Sequence, residues 1–150
     1  LKKLLTLEIL NKYAEKADPG SLLYAPLDAD LSYLETHCYE LSIEGDEEAA
    51  KAFALKTLSD PYSQEVNWSK SPALSDYKFY LDIGMKANTL DLEKEYLLKY
   101  QRKLPNPGFT LTGCRIFRRI YIIGNDEVSS DLFVKDLVNP VIHTWEVQHA

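Results

Sequence analysis

Residues 38–68, CYELSIEGDEEAAKAFALKTLSDPYSQEVNW, align without a gap on residues 117–147, FRRIYIIGNDEVSSDLFVKDLVNPVIHTWEV. Gly45 falls on Gly124, Glu48 on Glu127, Lys56 on Lys135, Leu58 on Leu137 and Pro61 on Pro140. Each copy reads as an alternating strand, a glycine, an acidic helix start, a helix, an Asp/Asn-Pro step and a second strand. A repeat of this length constrains architecture before any single residue does. It predicts two copies of one small α/β unit, with a linker over residues 69–75 around Pro72.

The second copy is the clearer. Tyr77 to Ile83 alternates and is rich in aromatic and β-branched residues, which predicts a strand. Asn88-Thr89 reads as a helix N-cap. Leu90 to Leu104 has helical spacing, with acids early and Lys99, Arg102 and Lys103 late, as the helix dipole favours. Pro105-Asn106-Pro107-Gly108 ends it. Phe109 to Phe117 and Arg118 to Ile123 read as a hairpin. Asp126 and Glu127 open a helix ending near Asn139, because a residue before proline is pushed out of helical geometry. Ile142 to Gln148 closes as a strand. The order β-α-β-β-α-β is the ferredoxin-like unit.

The first copy aligns through Asp18-Pro19-Gly20 with Asn106-Pro107-Gly108. That predicts the first helix over Leu4 to Lys16 and puts the first strand before residue 1, as in a truncated chain. Its crowded leucines are also compatible with a strand. Gly20 to Gly45 spans 25 positions and Gly108 to Gly124 spans 16, so the first copy carries nine more, placed around Tyr24 to Ser32 as an extended loop or longer hairpin. The expected fold class is therefore α+β: tandem ferredoxin-like βαββαβ units, 1–70 and 71–150, forming a pseudo-dimer with antiparallel sheets.

The chain has 150 residues, enough for one ordinary domain or two very small ones. Two thin cores packing together are the more stable arrangement. Hydrophobic content of 45% and charge of 27% fit a globular protein. No apolar run reaches the roughly 18 residues of a membrane span, and no signal-peptide pattern is present, so a cytoplasmic location is expected. Residues 1–70 hold 7 Lys/Arg and 13 Asp/Glu, net −6, whereas residues 71–150 hold 10 of each, net zero. Two copies with one skeleton and different charge are expected to meet different partners. The acidic total argues against nucleic-acid binding through phosphate neutralisation.

Candidate chemistry is sparse. Cys38 and Cys114 lack CxxC spacing and read as buried hydrophobes, with a disulfide or reactive thiol as the alternative. His37, His143 and His149 have no metal-ligand spacing. The run Glu44, Asp46, Glu47 and Glu48 reads as solvated carboxylates favoured by a helix start, against a general acid/base pair. Tyr39, Tyr77, Tyr80 and Tyr121 would form an aromatic sheet face, as in RNA-recognition modules, but the basic glycine-containing motif of those modules is lacking. Arg115, Arg118 and Arg119 lie on the predicted hairpin and are the candidate partner interface, weighed against a solvated face or internal ion pairs.

Several of these segments resemble PurS, the small subunit of phosphoribosylformylglycinamidine synthase. Tyr77-Lys78-Phe79-Tyr80-Leu81-Asp82-Ile83-Gly84-Met85-Lys86 is similar to the family's first strand and trailing lysine. Cys114-Arg115-Ile116-Phe117-Arg118 stands where the family has Val-Arg-x-Gly-Lys. Leu137-Val138-Asn139-Pro140-Val141-Ile142 is similar to its helix end, and Leu58-Ser59-Asp60-Pro61 repeats it. The chain departs in having Ala87-Asn88-Thr89-Leu90 for an Asp-Pro-x-Gly element, and Phe117 for glycine.

The resemblance implies a tandem PurS-like scaffold, either a separate subunit or an N-terminal domain. It would bridge an ATP-dependent synthetase and a glutaminase, as chains or domains, in purine biosynthesis. It implies no catalytic residue, metal or cofactor in this chain, with ATP and Mg held by the synthetase partner. It implies neither nucleic-acid nor membrane partners. A regulatory ligand-binding module of the ACT type, which also pairs βαββαβ units, is the main rival. A standalone enzyme is a third class and lacks a compact ionisable cluster.

Overall fold

A computed structural model describes residues 2–150. Among them are six strands and three α-helices. The strands are β1 (Lys2–Asn11), β2 (Leu31–Gly45), β3 (Gln64–Asn67), β4 (Phe79–Met85), β5 (Phe109–Gly124) and β6 (His143–His149). The helices are α1 (Glu47–Leu58), α2 (Leu92–Arg102) and α3 (Ser130–Leu137), with a short 3-10 turn at Pro19–Leu22. The fold is mixed α+β, and the strand order is β3-β1-β2-β5-β4-β6.

Leu4 to Lys16 is not a helix. Residues 2–11 form β1, paired antiparallel with β2 on one side and β3 on the other. The physical reason is alternation hidden in a leucine-rich run. Leu5, Leu7 and Ile9 are buried, Leu7 completely, whereas Leu4 is 48% exposed. Pairing on both edges decides between two periodicities that the run itself allows. The strand expected before residue 1 is thus present at 2–11. What the first copy lacks is the first helix, whose place holds only the 3-10 turn. Pro19, Gly20 and Pro26 are poor helix formers, and the Asp18 side chain caps the turn by accepting from Gly20 N at 2.9 Å.

The expected hairpin is one 16-residue strand, β5. Nothing from Arg115 to Ile123 has the turn chemistry a two-residue hairpin demands. At Thr112-Gly113 the alternation shifts by one residue, so that Phe109, Leu111, Cys114 and Ile116 all face the same core. Two helix starts also differ from expectation. α2 is capped by Asp91, not by Asn88-Thr89, and α3 by Ser129, not opened by Asp126. The Asp126 carboxylate instead accepts from Asp30 N at 2.7 Å.

The chain forms two compact units that interleave in sequence, where the repeat alone had placed them at 1–70 and 71–150. Unit 1 comprises Leu1–Tyr13, His37–Ala73 and Leu90–Ile116. Unit 2 comprises Ala14–Thr36, Leu74–Thr89 and Phe117–Ala150. In unit 1, α1 and α2 pack on one sheet face, joining Ala50, Phe53, Ala54, Leu97 and Leu98 to Leu7, Leu41 and Ile43. Gln101 of α2 grips the start of β5, donating to Phe109 O at 2.8 Å and accepting from Leu111 N at 3.2 Å. In unit 2, α3 and the 3-10 segment cover Phe79, Leu81, Ile120 and Ile122, with Phe133 at the centre.

The repeat survives in three dimensions at the level of single hydrogen bonds. Asp60 accepts from Tyr62 N and Asn139 accepts from Val141 N, each at 3.0 Å, making the same Asx turn around Pro61 and Pro140. Asp60 N donates to Gln64 Oε1 and Asn139 N to His143 Nδ1, at 2.9 and 3.0 Å. Gly45 and Gly124, at φ +112° and +140°, end the two long strands against close backbone. A Cβ on Gly45 would lie 2.7 Å from Gly108 O, and one on Gly124 would run into the carbonyl of Asp30. Only glycine meets both demands.

Candidate functional site

The three arginines of the candidate interface have different fates. Arg115 is half-exposed and donates to Glu40 at 2.8 Å. Arg118 is partly exposed and donates to Glu35 at 2.6 Å. The Arg119 side chain is only 9% exposed. It holds Asp82 through Nε and a terminal nitrogen, at 2.8 and 3.0 Å, and its guanidinium lies 4.3 Å from the centre of the Tyr80 ring. Arg119 therefore has little surface to present to a partner, and Arg115 and Arg118 are the more exposed of the three. All three thus make the internal ion pairs weighed against a partner interface, and Arg119 is the most deeply held because period two puts it on the opposite sheet face from Arg118, under Tyr77 and Tyr80.

The cover comes from the end of the linker and the residues just after it. Leu74 and Tyr77 pack on Tyr80, Tyr121 and Ile123 in unit 2, and Tyr77 makes tilted and edge contacts with both tyrosine rings. In unit 1, Ala73 N donates to the buried Glu8 carboxylate at 3.0 Å. Tyr39 is buried in the unit 1 core and donates to Glu93 at 2.7 Å. The four tyrosines are thus packing elements, not an open stacking platform for bases.

Both cysteines are buried and unbridged. Burial, with Asp91 and Glu93 nearby, pushes the Cys114 thiol up to about 12. A thiol so held stays protonated at neutral pH and is a poor nucleophile. Burial, reinforced by the bond to Glu93, also raises the Tyr39 hydroxyl well above its ordinary range. The acidic run behaves as a helix start: Asp46 caps α1 by accepting from Glu48 N at 3.1 Å, and Glu47 pairs with Lys3 at 3.1 Å. His143 serves its turn.

One concavity in unit 1 is a groove of about 680 Å³ between α1 and β3. Leu55, Pro61, Val66 and Trp68 line it together with the polar Lys56 and Gln64. Lys51 sits over the face of Trp68, 5.7 Å from the ring centre. The lining comes from one contiguous stretch, residues 52–68, which the chain folds back on itself at the Asp60-Pro61 turn. Among the described residues, no group of three His, Cys, Asp or Glu side chains is placed to hold a metal ion. No described helix is long and apolar enough to cross a membrane. Comparison with protein families, curated proteins and solved structures returned no match for this chain.

Proposed function

We propose that the chain is a PurS-like, non-catalytic scaffold of phosphoribosylformylglycinamidine synthase, acting in the cytoplasm between a synthetase that carries ATP and Mg and a glutaminase. The observation that carries this reading is the module built twice, with the same glycine strand end, helix, Asx turn and closing strand, but with different charge. An adaptor needs a shared skeleton and unlike faces. Each module also fits a ferredoxin-like origin. The adjacent strands β6-β4-β5 follow the order of that fold's fourth, first and third strands, and β3-β1-β2 repeats it. In each module the fold's second and third strands run together as one long strand.

The test is reconstitution with a synthetase and a glutaminase of this enzyme class. A stable complex, together with amidination driven by glutamine and not only by added ammonia, is the expected result. Failure to bind either chain would sink the scaffold reading. The α1–β3 groove supports an ACT-type module as the second reading. That reading requires an amino acid or nucleotide to raise the melting temperature, as any ligand selective for the native state does. Trp68→Ala would then abolish the shift.

A further inference from the structure

We propose that the outer face of α2 is a self-association surface, on which a second copy of the chain docks its own α2 in antiparallel orientation. The helix buries Leu97, Leu98 and Gln101 against unit 1. Its opposite face is not polar, as a solvated face would be. Leu92 and Tyr96 are 72% and 70% exposed, and Tyr100 continues the row one turn on. Spacing of four residues aligns the three side chains along the helix. Leu90, just before the helix, extends the row and is also exposed.

The row is rigid as well as apolar. Tyr96 stacks on Tyr100 at 6.4 Å and an interplanar angle of 18°, and Tyr100 stacks on the core residue Phe53 at 6.1 Å. Aromatic anchors locked in this way lose little entropy on binding and dominate interface energetics. The four side chains offer roughly 500 Å², within the roughly 300–600 Å² of a monomer's largest apolar patch, which is often functional. That is below the roughly 800 Å² per partner of a standard stable interface, so a weak association, in the micromolar range or above, is expected.

Charge selects the occupant. Glu93 and Glu95 lie in the first turn of α2, and Lys99 and Arg102 in the last. Parallel docking of two copies sets like charges together, whereas antiparallel docking sets the acidic end of each against the basic end of the other. Glu95 and Lys99 are exposed, and at 100° per residue both border the row on the same side. In a two-fold antiparallel pair, equal sides meet, so Glu95 of each copy falls opposite Lys99 of the other. The surface is complementary to itself.

Sedimentation equilibrium from about 5 to about 500 µM covers weak association of this kind. The native chain should rise from monomer towards dimer mass, and Tyr96→Lys should stay monomeric with an unchanged melting temperature. Glu95→Lys and Lys99→Glu should each associate at least tenfold more weakly, and an equimolar mixture of the two should recover association. A native chain that stays monomeric throughout overturns the proposal. So does a Tyr96→Lys variant that dimerises normally, or a mixture of the charge variants that fails to recover.

Discussion

Unit 1 covers its sheet with two helices, whereas unit 2 covers the equivalent face with one helix and a 3-10 turn. The difference teaches that the sheet demands apolar side chains at a given height, not a helix. In unit 1 the second layer is α2, with Leu97 and Leu98 buried. In unit 2 it is Leu22, Leu23, Leu27 and Leu31, delivered by a segment whose Pro19, Gly20 and Pro26 cannot sustain an α-helix. The segment is held by side chain–backbone bonds instead, among them Tyr24 N to Asp136 at 3.0 Å. Helical cover also has a consequence that irregular cover lacks: an outer face with a regular row of exposed side chains.

The strand-ending glycines offer the sharpest way to break the equivalence of the two copies. Gly124→Ala should cost about 3–5 kcal/mol, since left-handed strain adds to a backbone collision. Gly45→Ala should cost somewhat less. Gly113→Ala, whose nearest neighbour is Ser42 at 3.7 Å, should change stability little. Urea denaturation measures all three, and equal losses at the three positions would dissolve the comparison.

The two covers can be weighed next. Leu97→Ala removes a fully buried side chain and should cost about 3 kcal/mol, whereas the half-buried Leu22 should cost about 1 kcal/mol. If Leu22→Ala proved the more damaging, the 3-10 segment rather than α2 would be the stronger cover.

Titration probes the burial of unit 1 in another way. Cys114 belongs to unit 1, and its folded-state pKa lies above its ordinary value of 9.0. A raised folded pKa means that the native state keeps the proton longer than the unfolded chain. Its contribution is complete below pH 9 and is lost as pH rises towards about 12. The slope should approach one proton, about 1.4 kcal/mol per pH unit. Cys114→Ala should remove that slope from stability curves recorded between pH 8 and pH 11; Tyr39 adds a similar loss starting above its own ordinary value of 10.0.

The smallest effect is expected at the turns, where the copies use different side chains to accept the same amide. Gln64→His and His143→Gln exchange the two side chains that accept the Asp60 and Asn139 amides. Each exchange should stay within about 0.5 kcal/mol, while either residue replaced by Ala should cost about 1 kcal/mol by leaving that amide without its bond. Thermal melts of the four variants check this.

Much of the fold was legible because it rests on local chemistry. The glycine ends, the Asp/Asn-Pro turns, the closing strands and the 38–68 to 117–147 correspondence all depend on residues close in sequence. β1 was not legible, because leucines at successive positions satisfy a helical and an extended period at once. The hairpin expected over residues 109–123 is a single strand, because alternation cannot tell one long strand from two short ones. At the candidate interface, residue type and strand position identified the arginines. It could not show that Asp82, 37 positions away, takes Arg119 out of solvent.

The sequence by itself determined the duplicated module, the kinds of element within it and the unequal charge of its halves, since backbone preference and side-chain period act over a few residues. Tertiary structure alone decided the strand identity of 2–11 and the interleaving of the halves into units. It also decided which arginines and tyrosines face water and which face of α2 was left apolar. Those outcomes depend on pairing and burial between residues tens of positions apart, and no local pattern encodes what will lie on the other side of a sheet.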